Sequence, residues 1–220
     1  MASKKQFVVI GLGRFGGSVC KELVRLGNEV LALDTDEQKV NEFAKYATHA
    51  VVADSTDERA LISLGIRNFD SVIVAIGDNI QASILTTLLL KEIGVKHVCV
   101  KARNTYHHKV LVKIGADRVV HPESDMGRRI AQQMSDENVI DFIELSDEYS
   151  IVELIASPKI EGKTLIDLNI RARFGITILA IKKGNDIDIS PLPNYQISHK
   201  DLLIVIGHND DIKRFEDQVM

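Results

Sequence analysis

At 220 residues, with hydrophobic residues at 45% and charged residues at 26%, the chain suits one domain of about 130 residues plus a smaller one and lies far from disordered compositions. A net charge of −4 excludes the basic surplus that would neutralise a polyphosphate backbone, so no nucleic-acid partner is expected. No apolar run reaches the roughly 18 residues of a bilayer span, no signal-peptide pattern precedes the first strand-like segment, and Cys20 and Cys99 lack any CxxC spacing. A reduced, cytoplasmic chain that meets a membrane only through a partner is the expectation.

Segments rich in β-branched residues at 7–10, 30–33, 50–53, 72–76, 98–100 and 118–120 are predicted as strands. Helical periodicity at 15–26, 36–46, 57–64, 79–93 and 105–114 alternates with them, which predicts an α/β fold with a Rossmann-type doubly wound parallel sheet. The run Val72-Ile73-Val74-Ala75-Ile76 is apolar on both faces, as a strand covered by helices on both sides requires. Gly27, Gly65, Gly94 and Gly115 each follow a helical segment, where a left-handed cap suits glycine.

From Pro122 the pattern changes. A polar helix from 124 to about 144, striped by Met126, Ile130, Met134, Val139 and Phe142, reads as a connector. Beyond Ser146, strands at 151–156, 177–182, 186–189 and 202–207, with helices at 165–173 and 210–219, predict a second, smaller α+β domain without a glycine loop. The expected domains are a nucleotide-binding unit over 1–135 that includes the start of the connector, a connector over 136–145, and a C-terminal module over 146–220.

The chemistry concentrates in Gly11-Leu12-Gly13-Arg14-Phe15-Gly16, which follows a strand directly and opens a helix. Gly11 permits the tight turn, Gly13 lets phosphates approach the backbone, and Gly16 lets helix and strand pack closely. The helix N-terminus then offers unpaired N–H groups to an anion. Asp34 ends the next strand, where a carboxylate accepts hydrogen bonds from ribose hydroxyls and repels a 2′-phosphate. NAD, ADP and ATP share the parts such a loop reads. Arg14 tilts the choice towards a mononucleotide with extra negative charge, since a guanidinium in the loop sits near terminal phosphates; a solvent-exposed or carboxylate-paired arginine is the other reading.

Asp54-Ser55-Thr56-Asp57 and Ile76-Gly77-Asp78-Asn79 end the third and fourth strands, at the carboxyl edge where such sheets bind ligands. Ser55 and Thr56 suit a base or ribose and equally suit helix N-caps. Lys101 and Glu123 follow the fifth and sixth strands, Lys101 as a phosphate partner and Glu123 as the ligand of a cation bridging phosphates; surface charge is the alternative for both. His107-His108 carries no metal-ligand spacing and reads as a pair of solvated helix histidines.

With those residues in hand, the chain resembles the cytosolic gating subunits of Ktr-type potassium uptake systems, an RCK (KTN, TrkA-N) domain followed by an RCK C-terminal (TrkA-C) domain. The resemblance is carried by Val9 to Gly17, Asp54 to Asp57, Val74 to Ser83, Lys113 to Arg118 and His121-Pro122-Glu123, and covers essentially the whole chain. It implies RCK dimers assembled into an octameric ring under a membrane potassium-translocating subunit, with ATP activating and ADP inactivating. It implies that Arg14 reaches the terminal phosphate across a dimer interface, that Asp34 holds the ribose, and that Glu123 lies near a divalent or monovalent cation. Phe15, Asp54, Ser55, Ile76, Gly77 and Lys101 complete the expected nucleotide site. It further implies cyclic di-AMP in the C-terminal module, at Ile166, Asn169, Ile170, Arg171, Ile176 and Pro191. No enzyme is expected, because no nucleophile stands beside a base and the small second domain offers no acid–base pair; the rival reading is an NAD-dependent oxidoreductase.

Overall fold

A computed structural model describes residues 4–135, 139–146 and 148–220, which divide into two compact units, Met1–Ser124 and Asp125–Met220. The first unit is built on strands β1 (Gln6–Ile10), β2 (Glu29–Asp34), β3 (His49–Val52), β4 (Ser71–Val74), β5 (Val98–Lys101) and β6 (Arg118–Val120). Helices α1 (Arg14–Arg25), α2 (Glu37–Phe43), α3 (Glu58–Ser63), α4 (Ile80–Glu92) and α5 (Thr105–Lys113) alternate with them, and a 3-10 turn spans Ile66–Asn68. All neighbouring strands are parallel, in the order β3-β2-β1-β4-β5-β6.

Successive strand residues point to opposite faces, so the uninterrupted apolar strands bury both. Val8, Ile10, Leu31, Leu33, Val72 and Val74 pack with Leu61, Leu90 and Leu111 of α3, α4 and α5. Val9, Val30, Ala32 and Ile73 pack with Cys20, Val40 and Phe43 of α1 and α2. The doubly wound sheet expected from the sequence is therefore present, with α1 and α2 on one face and α3 to α5 on the other. The order reverses between β1 and β4, and that reversal opens a crevice at the strands' carboxyl ends. Gly27, Gly65, Gly94 and Gly115 all carry positive φ, as left-handed caps.

The second unit holds a five-stranded antiparallel sheet in the order β10-β9-β11-β8-β7, formed by β7 (Val139–Glu144), β8 (Tyr149–Ile155), β9 (Thr177–Lys183), β10 (Asp186–Asp188) and β11 (Leu202–His208). Short helices α7 (Leu165–Leu168) and α8 (Ile170–Phe174) and a longer α9 (Asn209–Val219) share one core with Leu154, Ile181, Leu203 and Val205, where Phe174 and Phe215 meet edge to face.

Two expectations need correction. The connector helix predicted to run to about 144 ends earlier: α6 spans Pro122–Ser135, and β7 then pairs with β8. Val139 to Ile143 is rich in β-branched residues, and pairing with a strand satisfies its backbone in a way that a polar, isolated helix end does not. Arg129 forms a salt bridge with Asp141, and Arg128 lies 3.7 Å from Glu144, tying α6 to β7. Of the connector expected at 136–145, residues 136–138 lie outside the described residues. The single helix predicted at 165–173 is split, because Asn169 adopts the left-handed conformation at φ 42°, ψ 45°. Asparagine tolerates that region better than other side chains, and Thr164 with Asp167 forms a capping box that starts α7 independently.

Candidate nucleotide site

The crevice at the sheet reversal is a cleft of about 420 Å³ lined by the carboxyl ends of β1 to β4 and the loops after them. Its floor is the loop after β1. Gly11 sits at φ +92°, and its N–H donates to the Leu33 carbonyl at 2.8 Å. Gly16 is the tightest point, since a Cβ there would stand 1.9 Å from the Gly11 carbonyl oxygen and 2.8 Å from the Ala75 Cβ. At Gly13 a Cβ would meet nothing within 4 Å, so this glycine leaves the backbone open on the side where an anion would approach. Gly13 is the N-cap of α1 without a side-chain cap, and no acidic residue lies in the first turn. The first amides of α1 therefore keep their hydrogen-bonding capacity for a ligand.

Asp34 closes the opposite wall. Its Oδ2 accepts the Leu12 N–H at 2.7 Å and its Oδ1 accepts the Asp36 N–H at 2.9 Å, with its side chain only 10% exposed. The acid thus clamps the glycine loop to the end of β2 and retains lone pairs facing the cleft. Lys39, from α2, lines the same wall with its Nζ 3.9 Å from Asp34.

Asp54, Ser55, Ile76 and Gly77 line the cleft as expected. Asp54 is occupied locally: the Thr56 hydroxyl and N–H both donate to its Oδ1, and these bonds hold its carboxyl below the usual range. Ser55 is buried, and its hydroxyl is hydrogen-bonded to Thr86 at 2.8 Å, so its side chain supports the wall.

Arg14, Phe15, Lys101 and Glu123 form a corner at the end of the cleft beyond Gly77. Lys101 donates to the Glu123 carboxylate, and its Nζ lies 5.9 Å from the centre of the Phe15 ring and 3.7 Å from where a Cβ on Gly77 would stand. Glu123 titrates below its ordinary value because of that ammonium, with Arg14 adding to the effect. Arg14 itself is exposed. A cation at Glu123 needs oxygen ligands beyond this carboxylate, and the described residues contain no cluster of three metal-ligating side chains.

Sequence reasoning missed Thr35, Lys39 and Ala82 among the lining residues, whereas Asp78 and Asn79 stand in the segment it had assigned to this edge. Thr35 and Lys39 follow Asp34 by one and five positions, a signal that was present. Solvation of the histidine pair is overturned: His107 is 2% exposed, and its Nδ1 accepts the Arg103 N–H at 3.2 Å. Asn104 caps α5, and His107 shares its inner face with Leu111. Burial lowers the His107 pKa. His108 stacks on His121, and their ring nitrogens lie 2.8 Å apart.

In the second unit a recess of about 400 Å³ gathers Ile166, Asn169, Ile170, Arg171 and Ile176. Ile176 is fully buried and Ile170 is 5% exposed, so both also serve the core, whereas Ile166 is 63% exposed. Pro191 is not among the lining residues; its loop reaches α7 through the Pro193 carbonyl, which accepts the Ile166 N–H at 3.0 Å.

Comparison with known proteins matches residues 7–122 to the TrkA-N domain and 149–220 to the TrkA-C domain. The chain is 64% identical over 216 residues to Ktr system potassium uptake protein A of Bacillus subtilis, covering 98% of this chain and 97% of that protein. The chain belongs to the TrkA-N/TrkA-C family. Ktr system potassium uptake protein C of the same organism is 60% identical, covering 99% of this chain and 98% of that protein. Among solved structures the GsuK channel shares the fold at a TM-score of 0.71 and 16% identity, over 99% of this chain and 40% of that one. The TrkA-N match spans the whole Rossmann-type cleft, from the strand before the glycine loop to the residue before Glu123. The TrkA-C match begins where β8 begins and so leaves β7 outside it. No helix among the described residues is long and apolar enough to cross a membrane.

Proposed function

We propose that this chain is the cytoplasmic, nucleotide-sensing regulatory subunit of a Ktr-type potassium uptake system, acting on a separate membrane subunit and catalysing no reaction of its own. The observation that supports the reading is the cleft, which brings uncapped amides at the α1 N-terminus and the Asp34 carboxylate to one crevice, groups suited to phosphate and ribose. The naming of its full-length relatives as Ktr potassium uptake proteins supplies the system.

Within that reading the ligands are ATP and ADP. Arg14 starts α1 beside the Lys101–Glu123 pair, so the corner offers two cations to one carboxylate. The surplus positive charge suits a third phosphate more than a second. A ligand moves a conformational equilibrium only through contacts that differ between states, and a γ-phosphate contact supplies that difference. Dimers assembled into an octameric ring would carry the change to the membrane subunit, with a cation at Glu123 completed by phosphate oxygens. In the second unit, the recess around Ile166, Asn169 and Arg171 suits cyclic di-AMP shared between two copies, because a two-fold ligand fits a two-fold interface.

The test is nucleotide identity and discrimination. Nucleotide released on denaturing the purified protein should be adenine mono-nucleotide rather than NAD, and calorimetry on the nucleotide-free protein should give saturable binding of both ATP and ADP. Arg14→Ala should lower ATP affinity about tenfold while changing ADP affinity little. Equal loss for both nucleotides would remove Arg14 from γ-phosphate recognition, and NAD as the tighter ligand would favour the dehydrogenase reading.

A further inference from the structure

A second recess in the C-terminal unit has no role in the function proposed above. It measures about 510 Å³, within the roughly 300–1,000 Å³ of small-ligand sites, and lies on the side of the sheet opposite the α7–α9 core. Strand register builds its floor. Leu202 of β11 pairs with Ile155 of β8 on one side and with Lys182 of β9 on the other, so the three side chains stand in a row across the sheet. Their chain neighbours Leu203, Leu154 and Ile181 point the other way, into the core. Pro158, His199 and Lys200 complete the lining around that row.

Two features mark this recess as more than a surface dip. First, Lys182, His199 and Lys200 converge on an aliphatic floor, and no described carboxylate forms an ion pair with any of them. Both lysines line one recess without a carboxylate partner, so the positive charge there is left for an anion to meet. Second, Lys200 holds φ +65°, a conformation that glycine adopts freely and lysine does not. The surrounding turn fixes it there: the Asp201 N–H donates to the Ser198 carbonyl at 3.1 Å, and the buried Asp201 carboxylate accepts from the Ser198 N–H and the Tyr195 hydroxyl. Asp201 is thereby committed to the turn and is not among the residues lining the recess.

We infer that this recess binds a small amphipathic anion, with its apolar body on Ile155, Leu202 and Pro158 and its phosphate or carboxylate end between Lys182 and Lys200. Charge and apolar contact act together here. A bare anion would leave the floor wet, and a neutral apolar molecule would leave the lysines unpaired. The anionic end can belong to a free metabolite or to the headgroup of an acidic lipid.

The test uses the full chain with octyl phosphate as probe, followed by calorimetry, and inorganic phosphate and octanol as the two half-ligands. Octyl phosphate should bind saturably at one per chain and at least tenfold more tightly than either half-ligand. Lys182→Gln and Lys200→Gly should each weaken it about tenfold. Lys200→Gly also relieves the left-handed backbone, so its melting temperature should hold or rise, and lost binding there cannot be lost folding. A sedimentation arm with phosphatidylglycerol–phosphatidylcholine vesicles separates the sources: pelleting that both variants abolish assigns a lipid headgroup, and probe binding without pelleting assigns a free metabolite. No saturable octyl phosphate binding, or unchanged affinity in both variants, overturns the site.

Discussion

Asp34→Ala separates the clamp that this carboxylate makes in the structure from its proposed role at the ribose. The side chain accepts two backbone N–H groups, from Leu12 at 2.7 Å and from Asp36 at 2.9 Å. Hydrogen bonds to a charged acceptor contribute about 1.5–3 kcal/mol each when protected from water. Leu12 is 3% exposed, so its amide loses its partner without gaining water, whereas Asp36 is only half-buried and water can partly replace the bond its amide loses. The expected loss of stability is therefore about 2–3 kcal/mol, or roughly 4–12 °C in melting temperature for a chain of this size. If the remaining lone pairs also take the ribose hydroxyls, ATP and ADP should weaken by the same factor, about ten- to a hundredfold, because both carry that ribose. Thermal melts without ligand measure the first effect, and calorimetry well below the melting temperature measures the second. Asp34→Asn should retain part of the clamp, since its amide oxygen accepts one N–H, and lose most of the ribose affinity. Unchanged melting would refute the clamp, and unchanged affinity for both nucleotides would remove Asp34 from the ligand.

Gly16→Ala should destabilise the first unit by about 1–3 kcal/mol or more in chemical denaturation and abolish nucleotide binding, since its Cβ would lie 1.9 Å from the Gly11 oxygen and only a shift of the loop relieves that; wild-type stability and affinity together would contradict the packing. Arg171→Ala should cut cyclic di-AMP affinity at least tenfold in a titration of the full chain, while Ile176→Ala, fully buried, should instead lower the melting temperature; unaltered messenger binding in Arg171→Ala would leave the recess with a packing role only. Burial depresses the His107 pKa from 6.5, so the unfolded chain takes up the proton first and stability, full above about pH 6.5, should fall as the pH drops below it. His107→Gln should flatten that dependence in melts between pH 7.5 and pH 5 on the order of one proton's worth, and an undiminished slope would place the titration elsewhere.

What the sequence disclosed and what it concealed divide along the distance over which each feature is determined. The glycine loop was legible because strand, turn and helix are adjacent in the chain, so Gly11 and Gly16 declare their packing within six residues of each other. The doubly wound sheet was legible because a two-sided apolar strand such as β4 has only one kind of environment. The end of the connector was not. Val139 to Ile143 fits a helical stripe and a strand about equally, and only the pairing of β7 with β8 decides between them. The break at Asn169 carries no glycine or proline to announce it, and the capping box at Thr164 and Asp167 shows the start of α7 without its end.

Burial of His107 had a local signal, because it stands four residues before fully buried Leu111 on the same helix face, yet adjacency to His108 drew the reading towards solvent. The corner at the end of the cleft had none. Lys101 and Glu123 are 22 residues apart and meet because β5 and β6 are neighbours in the sheet, and Arg14 joins them from α1, beyond the point of strand reversal. Each was assignable to the carboxyl edge from the sequence, but their mutual compensation is a property of the topology. That compensation sets the charge a ligand meets: Lys101 is already spent on Glu123, so Arg14 is the member of the trio whose charge is left for phosphate. Under the proposed function, discrimination between two and three phosphates would rest on that one residue, which is why the Arg14→Ala comparison tests the proposal more sharply than any substitution in the glycine loop.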